Sequence, residues 1–101
     1  PGMNFLPANV APGSPAGATK LGVRPEYVTL AEANAQGAVP GTVTQAQDIG
    51  TYWLLTATLG GGEIVRARLP LGQSIPGVGE RVWLGIVGSH TCYYKDEELV
   101  A

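Results

Sequence analysis

Residues 51–69 read TYWLLTATLGGGEIVRARL, and their pattern decides the fold class. Trp53, Leu55, Ala57 and Leu59 alternate with Tyr52, Leu54, Thr56 and Thr58 at the period of two that defines a β-strand. Gly60, Gly61 and Gly62 follow, supplying positions where positive φ carries no steric cost. Val65, Ala67 and Leu69 then alternate with Ile64, Arg66 and Arg68. Strand, glycine turn and strand predict a hairpin with one apolar face.

The same reading extends in both directions. Upstream, GTVTQAQDIG (41–50) alternates Val43, Gln45 and Gln47 against Thr42, Thr44 and Ala46, a further strand ending at a glycine. Downstream, PLGQSIPGVGE (70–80) is a loop or barrel corner, and RVWLGIV (81–87) is apolar on both faces, as a central covered strand is. GSH leads into TCYY as a last strand, and KDEELVA (95–101) reads as a charged tail. Toward the N-terminus, TKLGV and EYVTL are short strands separated by Arg24-Pro25. Pro25 lacks an amide hydrogen and belongs at an edge, a bulge or a strand start, and it pushes Arg24 to an extended conformation. PGMNFLPANV is a short apolar segment punctuated by Pro1 and Pro7, and APGSPAGA (11–18) is a loop. AEANAQGA (31–38) is the best helical candidate, too short to stand alone, with a bare turn as the alternative.

Composition agrees. The chain has 101 residues with 15 Gly and 8 Pro, many for this length, which favours turns and short strands over long helices. Five or more short strands with Gly/Pro corners and little helix predict a small all-β barrel, with the five-stranded oligonucleotide/oligosaccharide-binding (OB) type a good candidate. One domain over 1–101 is expected, with 1–18 partly irregular and 95–101 a tail. A chain of this size buries roughly 60–68% of its unfolded surface, enough for a modest core. It opens at Pro1-Gly2 without Met, as a fragment of a longer protein does.

Charge and cysteine usage exclude several function classes. The net charge is −2 and Lys/Arg residues do not cluster beyond Arg66 and Arg68, so the footprint of a nucleic-acid groove is missing. Cys92 is the one cysteine, which rules out an internal disulfide. No run approaches the ~20 apolar residues of a membrane span.

The chemistry-bearing residues are few. LGGGEIV lacks the lysine of a phosphate loop and the helix that follows one. His90 could pair with Ser89 or Cys92 as a nucleophile, but neighbours this close along a strand need not face each other, and no orienting carboxylate is evident. One His and one Cys fall short of a metal's usual four ligands. Asp96, Glu97 and Glu98 read as a solvated run rather than an acid/base pair. Arg66 and Arg68 share a strand face and could grip an anion or a partner carboxylate, or could simply form an outward polar face. Trp53 and Trp83 could be stacking platforms, though core or interface roles suit such large apolar groups better. No catalytic, cofactor-binding or metal-ligating residue is assigned.

Four phrases, in order, carry a resemblance. They are Met3-Asn4-Phe5-Leu6, Gly22-Val23-Arg24-Pro25-Glu26-Tyr27, Gly41-Thr42-Val43 with Ile49-Gly50, and Gly79-Glu80-Arg81-Val82. Together they resemble the C-terminal regulatory region of ATP-binding-cassette (ABC) importer ATPases, whose closest branch looks like the maltose/maltodextrin and sn-glycerol-3-phosphate subunits. That region carries the transport-associated OB (TOBE) module. Tyr27 stands where the family often has histidine, and Cys92 takes a later histidine's place.

The resemblance implies a non-catalytic regulatory and dimerisation domain. The parent subunit would hold ATP and Mg in a preceding domain, pair with a second copy of itself, and associate with membrane permease subunits. It would lie on the cytoplasmic face of the inner membrane and could receive a regulatory protein. No cofactor is expected in this fragment. Within that frame Arg24, Pro25 and Glu26 are candidates for a regulatory or positional network. Tyr52, Trp53 and Ile64 are interface candidates. The alternative is a module sensing a small oxyanion or sugar, with Arg66, Arg68 and Arg24 converging on one pocket.

Overall fold

The computed structural model describes residues 2–101; Pro1, read above as punctuation of the first segment, lies outside them. The strands are β1 (Asn4–Pro7), β2 (Lys20–Val23), β3 (Thr29–Ala31), β4 (Val39–Asp48), β5 (Trp53–Leu59), β6 (Ile64–Leu69), β7 (Arg81–Gly85), β8 (Cys92–Lys95) and β9 (Glu98–Leu99). Single 3-10 turns occupy Ala8–Val10 and Pro25–Tyr27. Two antiparallel sheets result, ordered β1-β2-β8-β9 and β3-β7-β4-β5-β6. The curled sheets make the small all-β, OB-like domain that the alternation predicts.

The β5–β6 hairpin forms as expected. Leu55, Ala57 and Leu59 pair across the strands with Ala67, Val65 and the turn, and all are buried. At the turn the Gly62 amide donates to the Leu59 carbonyl (3.0 Å), with Gly62 at φ +91°. Between the sheets lies one core of Leu6, Leu21, Val23, Val28, Val43, Leu55, Val65, Leu84 and Ile86, each almost wholly removed from water. Each such side chain contributes about 1.5–3 kcal/mol.

Several segments differ from the sequence reading. In β4, strict alternation puts Gln45 and Gln47 on the same face as Val43. Instead Val43 pairs with Ala57 and Gln45 with Thr56, leaving Thr44 as an extra residue in a β-bulge. The bulge turns both glutamines outward and brings Ala46 against the core. Burying two amides without partners would cost several kcal/mol, and the bulge avoids it. In EYVTL, Glu26 and Tyr27 belong to the 3-10 turn, and only Thr29–Ala31 is strand. Segment 32–38 takes the turn alternative of its reading, as a pair of turns with Asn34 and Gly37 at positive φ. Finally, 95–101 is not a free tail. Asp96 and Glu97 both take positive φ (49° and 73°), the requirement of a two-residue hairpin turn, and the chain returns as β9 with Tyr94 opposite Leu99.

β7 has strand partners on both edges, with one face fully buried through Val82 and Leu84 and the other only partly covered, Trp83 being half-buried. Among the described residues no helix is long and apolar enough to cross a membrane.

Candidate functional site

Each of the quoted phrases makes a joint between strands. Asn4 sits in β1 beside Leu6, a buried position that a strand normally gives to an apolar residue. Its Nδ2 donates to the Arg66 carbonyl (2.8 Å), and the Arg66 amide donates to its Oδ1 (2.9 Å). One side chain thus satisfies both outward backbone groups of Arg66 on edge strand β6 and fastens the two sheets together.

Gly22, opposite Phe5 in the β1–β2 ladder, leaves space that the side chains of Met3 and Phe5 fill. A Cβ there would lie 2.6 Å from Met3 Sδ and 3.1 Å from the Phe5 ring. Gly41 is similarly tight, its Cβ position lying 3.1 Å from a Leu59 methyl and 3.2 Å from the Thr58 carbonyl oxygen. Beside the bulge, the Val43 amide donates to the Glu80 carbonyl (2.9 Å) and the Gly79 amide to the Val43 carbonyl (2.8 Å). The Glu80 carboxylate closes its own loop by accepting from the Gly77 amide.

The arginine-proline-glutamate phrase is a turn. Arg24 is extended (φ −74°, ψ 148°), Pro25 opens the 3-10 turn and is buried, and the turn packs near β6. Arg24 and Glu26 are both exposed, and no ion pair joins them. The neighbouring Tyr27 stacks on His90 with ring centroids 3.8 Å apart and planes 7° from parallel. This stack holds the turn against the loop after β7. That loop is closed by Thr91, which accepts from the Gly88 amide (2.9 Å) and donates to the Ile86 carbonyl (2.7 Å).

What remains open is a surface. Ile64, Arg66 and Arg68 project outward from β6, and Leu54 and Thr56 of β5 lie opposite Arg68 and Arg66. Gly2, Met3, Asn4 and Phe5 close the other side of a groove of about 440 Å³ whose further walls are Leu54, Ile64 and Arg66. Phe5 and Ile64 are 54% and 51% exposed and both line this groove. The Arg68 guanidinium lies 4.1 Å from the centre of the Tyr52 ring, a cation–π contact. Beyond Phe5, Lys20 Nζ sits 5.0 Å from that ring and pairs with Glu97 at 3.0 Å.

The structure therefore brings Tyr52, Ile64, Arg66 and Arg68 onto one region. Trp53 packs partly against the core and Trp83 carries Arg81 across its ring at 5.7 Å. Asn4, Met3 and Phe5 are site residues that residue-by-residue reading passes over. The available signal was an asparagine at an inward strand position. Among the described residues no three His, Cys, Asp or Glu side chains gather as a metal site would require.

A family model described as TOBE domain matches residues 21–92. The comparison with curated proteins found no match.

Proposed function

This chain belongs to the TOBE domain family, and from that premise we propose that it is a non-catalytic regulatory and dimerisation domain of an ABC importer's ATP-binding subunit. The observation that supports this reading most is how the motif residues are used. Asn4, Gly22, Gly41 and Gly79-Glu80 all make strand-to-strand joints, while large apolar groups, Phe5 and Ile64, stay in solvent. A domain built this way acts through its outer surface.

In this reading ATP and Mg are handled by a separate domain of the parent subunit. A second copy pairs with this one, and the permease subunits lie at the cytoplasmic face of the membrane. The cargo class is sugars or glycerol phosphate. A two-fold pair requires one self-complementary patch on each copy.

Light scattering across micromolar to millimolar concentrations tests it. The expected result is a mass that rises from monomer toward dimer, with no ATP turnover by the chain. A monomer mass at every concentration would count against dimerisation built into this domain alone, and would leave pairing to the parent's ATPase domain.

The alternative, sensing of a small oxyanion or sugar, is supported by the adjacency of Arg66 and Arg68 on one strand face. A saturable rise in melting temperature with phosphate, sulfate or a sugar would favour it.

A further inference from the structure

We infer that the face made by Arg66, Arg68 and the adjoining apolar groove docks an acidic polypeptide segment, one that presents carboxylates two residues apart beside an apolar side chain. This goes beyond the pairing of two copies, because it assigns a different occupant by its chemistry.

Charge complementarity is the first argument. Arg66 and Arg68 are exposed neighbours on one strand face, and neither pairs with a carboxylate among the described residues. Lys20, across Phe5, has its partner in Glu97. The two guanidiniums therefore offer positive charge and planar donor edges to something outside the chain. The Arg68 guanidinium already rests on the Tyr52 ring, which lowers the ordering cost on binding for that side chain.

Spacing and surroundings argue for a polypeptide. Same-face residues two apart on a strand are roughly 7 Å apart, the repeat at which an extended segment presents its own alternate side chains. A small oxyanion would engage the arginines and leave unused the apolar walls of Met3, Phe5, Leu54 and Ile64 beside them. Those walls suit an apolar side chain, which supplies affinity while the charges supply selectivity.

Docking by addition of a strand to β6 is blocked at its middle, because Asn4 already occupies the amide and carbonyl of Arg66. The segment must lie over the face and be held by side chains.

The test uses this chain and short synthetic peptides read by fluorescence anisotropy. One peptide carries two glutamates spaced by one residue beside a leucine; controls replace the glutamates with glutamine or lysine, or the leucine with alanine. The glutamate peptide should bind and weaken with salt. Binding should fall by about tenfold or more in the Arg66→Glu/Arg68→Glu variant, while the lysine peptide gains on that variant. Ile64→Asp and the alanine peptide should each weaken binding further.

Several results would overturn the proposal. They are no binding up to millimolar peptide, binding that survives charge reversal, or complete displacement by inorganic phosphate with no effect of the leucine. Tighter binding of a single-stranded oligonucleotide would reassign the face to nucleic acid. Self-association that depends on the two arginines and excludes the peptide would reassign it to a second copy.

Discussion

The Asn4 side chain exchanges two hydrogen bonds with the backbone of Arg66, 62 residues away, and in doing so acts as one rung of a β-ladder between β1 and β6. Both protein groups are at least partly withdrawn from water, so losing the amide leaves an edge donor and acceptor without partners. Asn4→Ala should destabilise the fold by about 2–3 kcal/mol, seen as a lower urea midpoint with an unchanged slope. Asn4→Asp retains an acceptor but places a carboxylate against the Arg66 carbonyl and should be at least as damaging. An Asn4→Ala midpoint equal to that of the parent chain would show that the two sheets do not depend on this joint.

Gly22 is required by its neighbours and not by its backbone angles. A methyl group there meets Met3 and Phe5, so Gly22→Ala should cost about 1–2 kcal/mol as those side chains are pushed outward. Met3 ends in a flexible thioether and can move aside more easily than the Phe5 ring. In a Met3→Ala background the cost of Gly22→Ala should therefore shrink by about half or more. A double-mutant cycle on thermal unfolding measures this, and strict additivity would refute direct packing of Met3 on Gly22.

The parts of this fold that are legible in sequence are those set by alternation. The β5–β6 hairpin shows because buried Leu55, Ala57, Val65 and Ala67 repeat at period two without interruption. β4 misleads because one extra residue at Thr44 reverses the faces downstream, and nothing local to Thr44 marks it. The backbone that meets the bulge lies 36 residues further on, where Gly79 and Glu80 hydrogen-bond with Val43. The groove is illegible for a related reason. Phe5, Leu54 and Ile64 come from three strands, and the Asn4 joint helps bring β1 against β6 to make them one surface. Arg66 and Arg68 are visible as a pair in sequence, whereas the apolar wall beside them is not.

The turn between β8 and β9 is built from residues poorly suited to it. Asp tolerates the left-handed region, but Glu97 at φ 73° is strained, and asparagine-glycine is the favoured pair for such a turn. Against this, Glu97 pairs with Lys20, an exposed contact worth at most about 1 kcal/mol. Relief of two positive-φ positions should win. Asp96→Asn/Glu97→Gly is expected to stabilise the chain by about 0.5–1 kcal/mol, read as a higher melting temperature. Glu97→Ala loses the ion pair but keeps the strain, and it should be neutral or slightly destabilising. If the asparagine-glycine variant melts lower than the parent, the Lys20 pair outweighs turn strain.

The arginine-proline-glutamate phrase divides into charges that mark the sequence and apolar groups that hold the turn. Arg24 and Glu26 are exposed and without an ion-pair partner among the described residues, so Arg24→Ala and Glu26→Ala should each change stability by no more than about 0.5 kcal/mol. Pro25 is buried and fixes the first φ of its 3-10 turn. Pro25→Ala loses both burial and the restriction on the unfolded chain, at about 1–2 kcal/mol. The Tyr27–His90 stack should give a coupling of about 0.5–1.5 kcal/mol in a cycle of Tyr27→Ala and His90→Ala. Chemical denaturation of these variants ranks them directly. A loss at Arg24 or Glu26 as large as that at Pro25 would mean that the charges also carry part of the turn's stability.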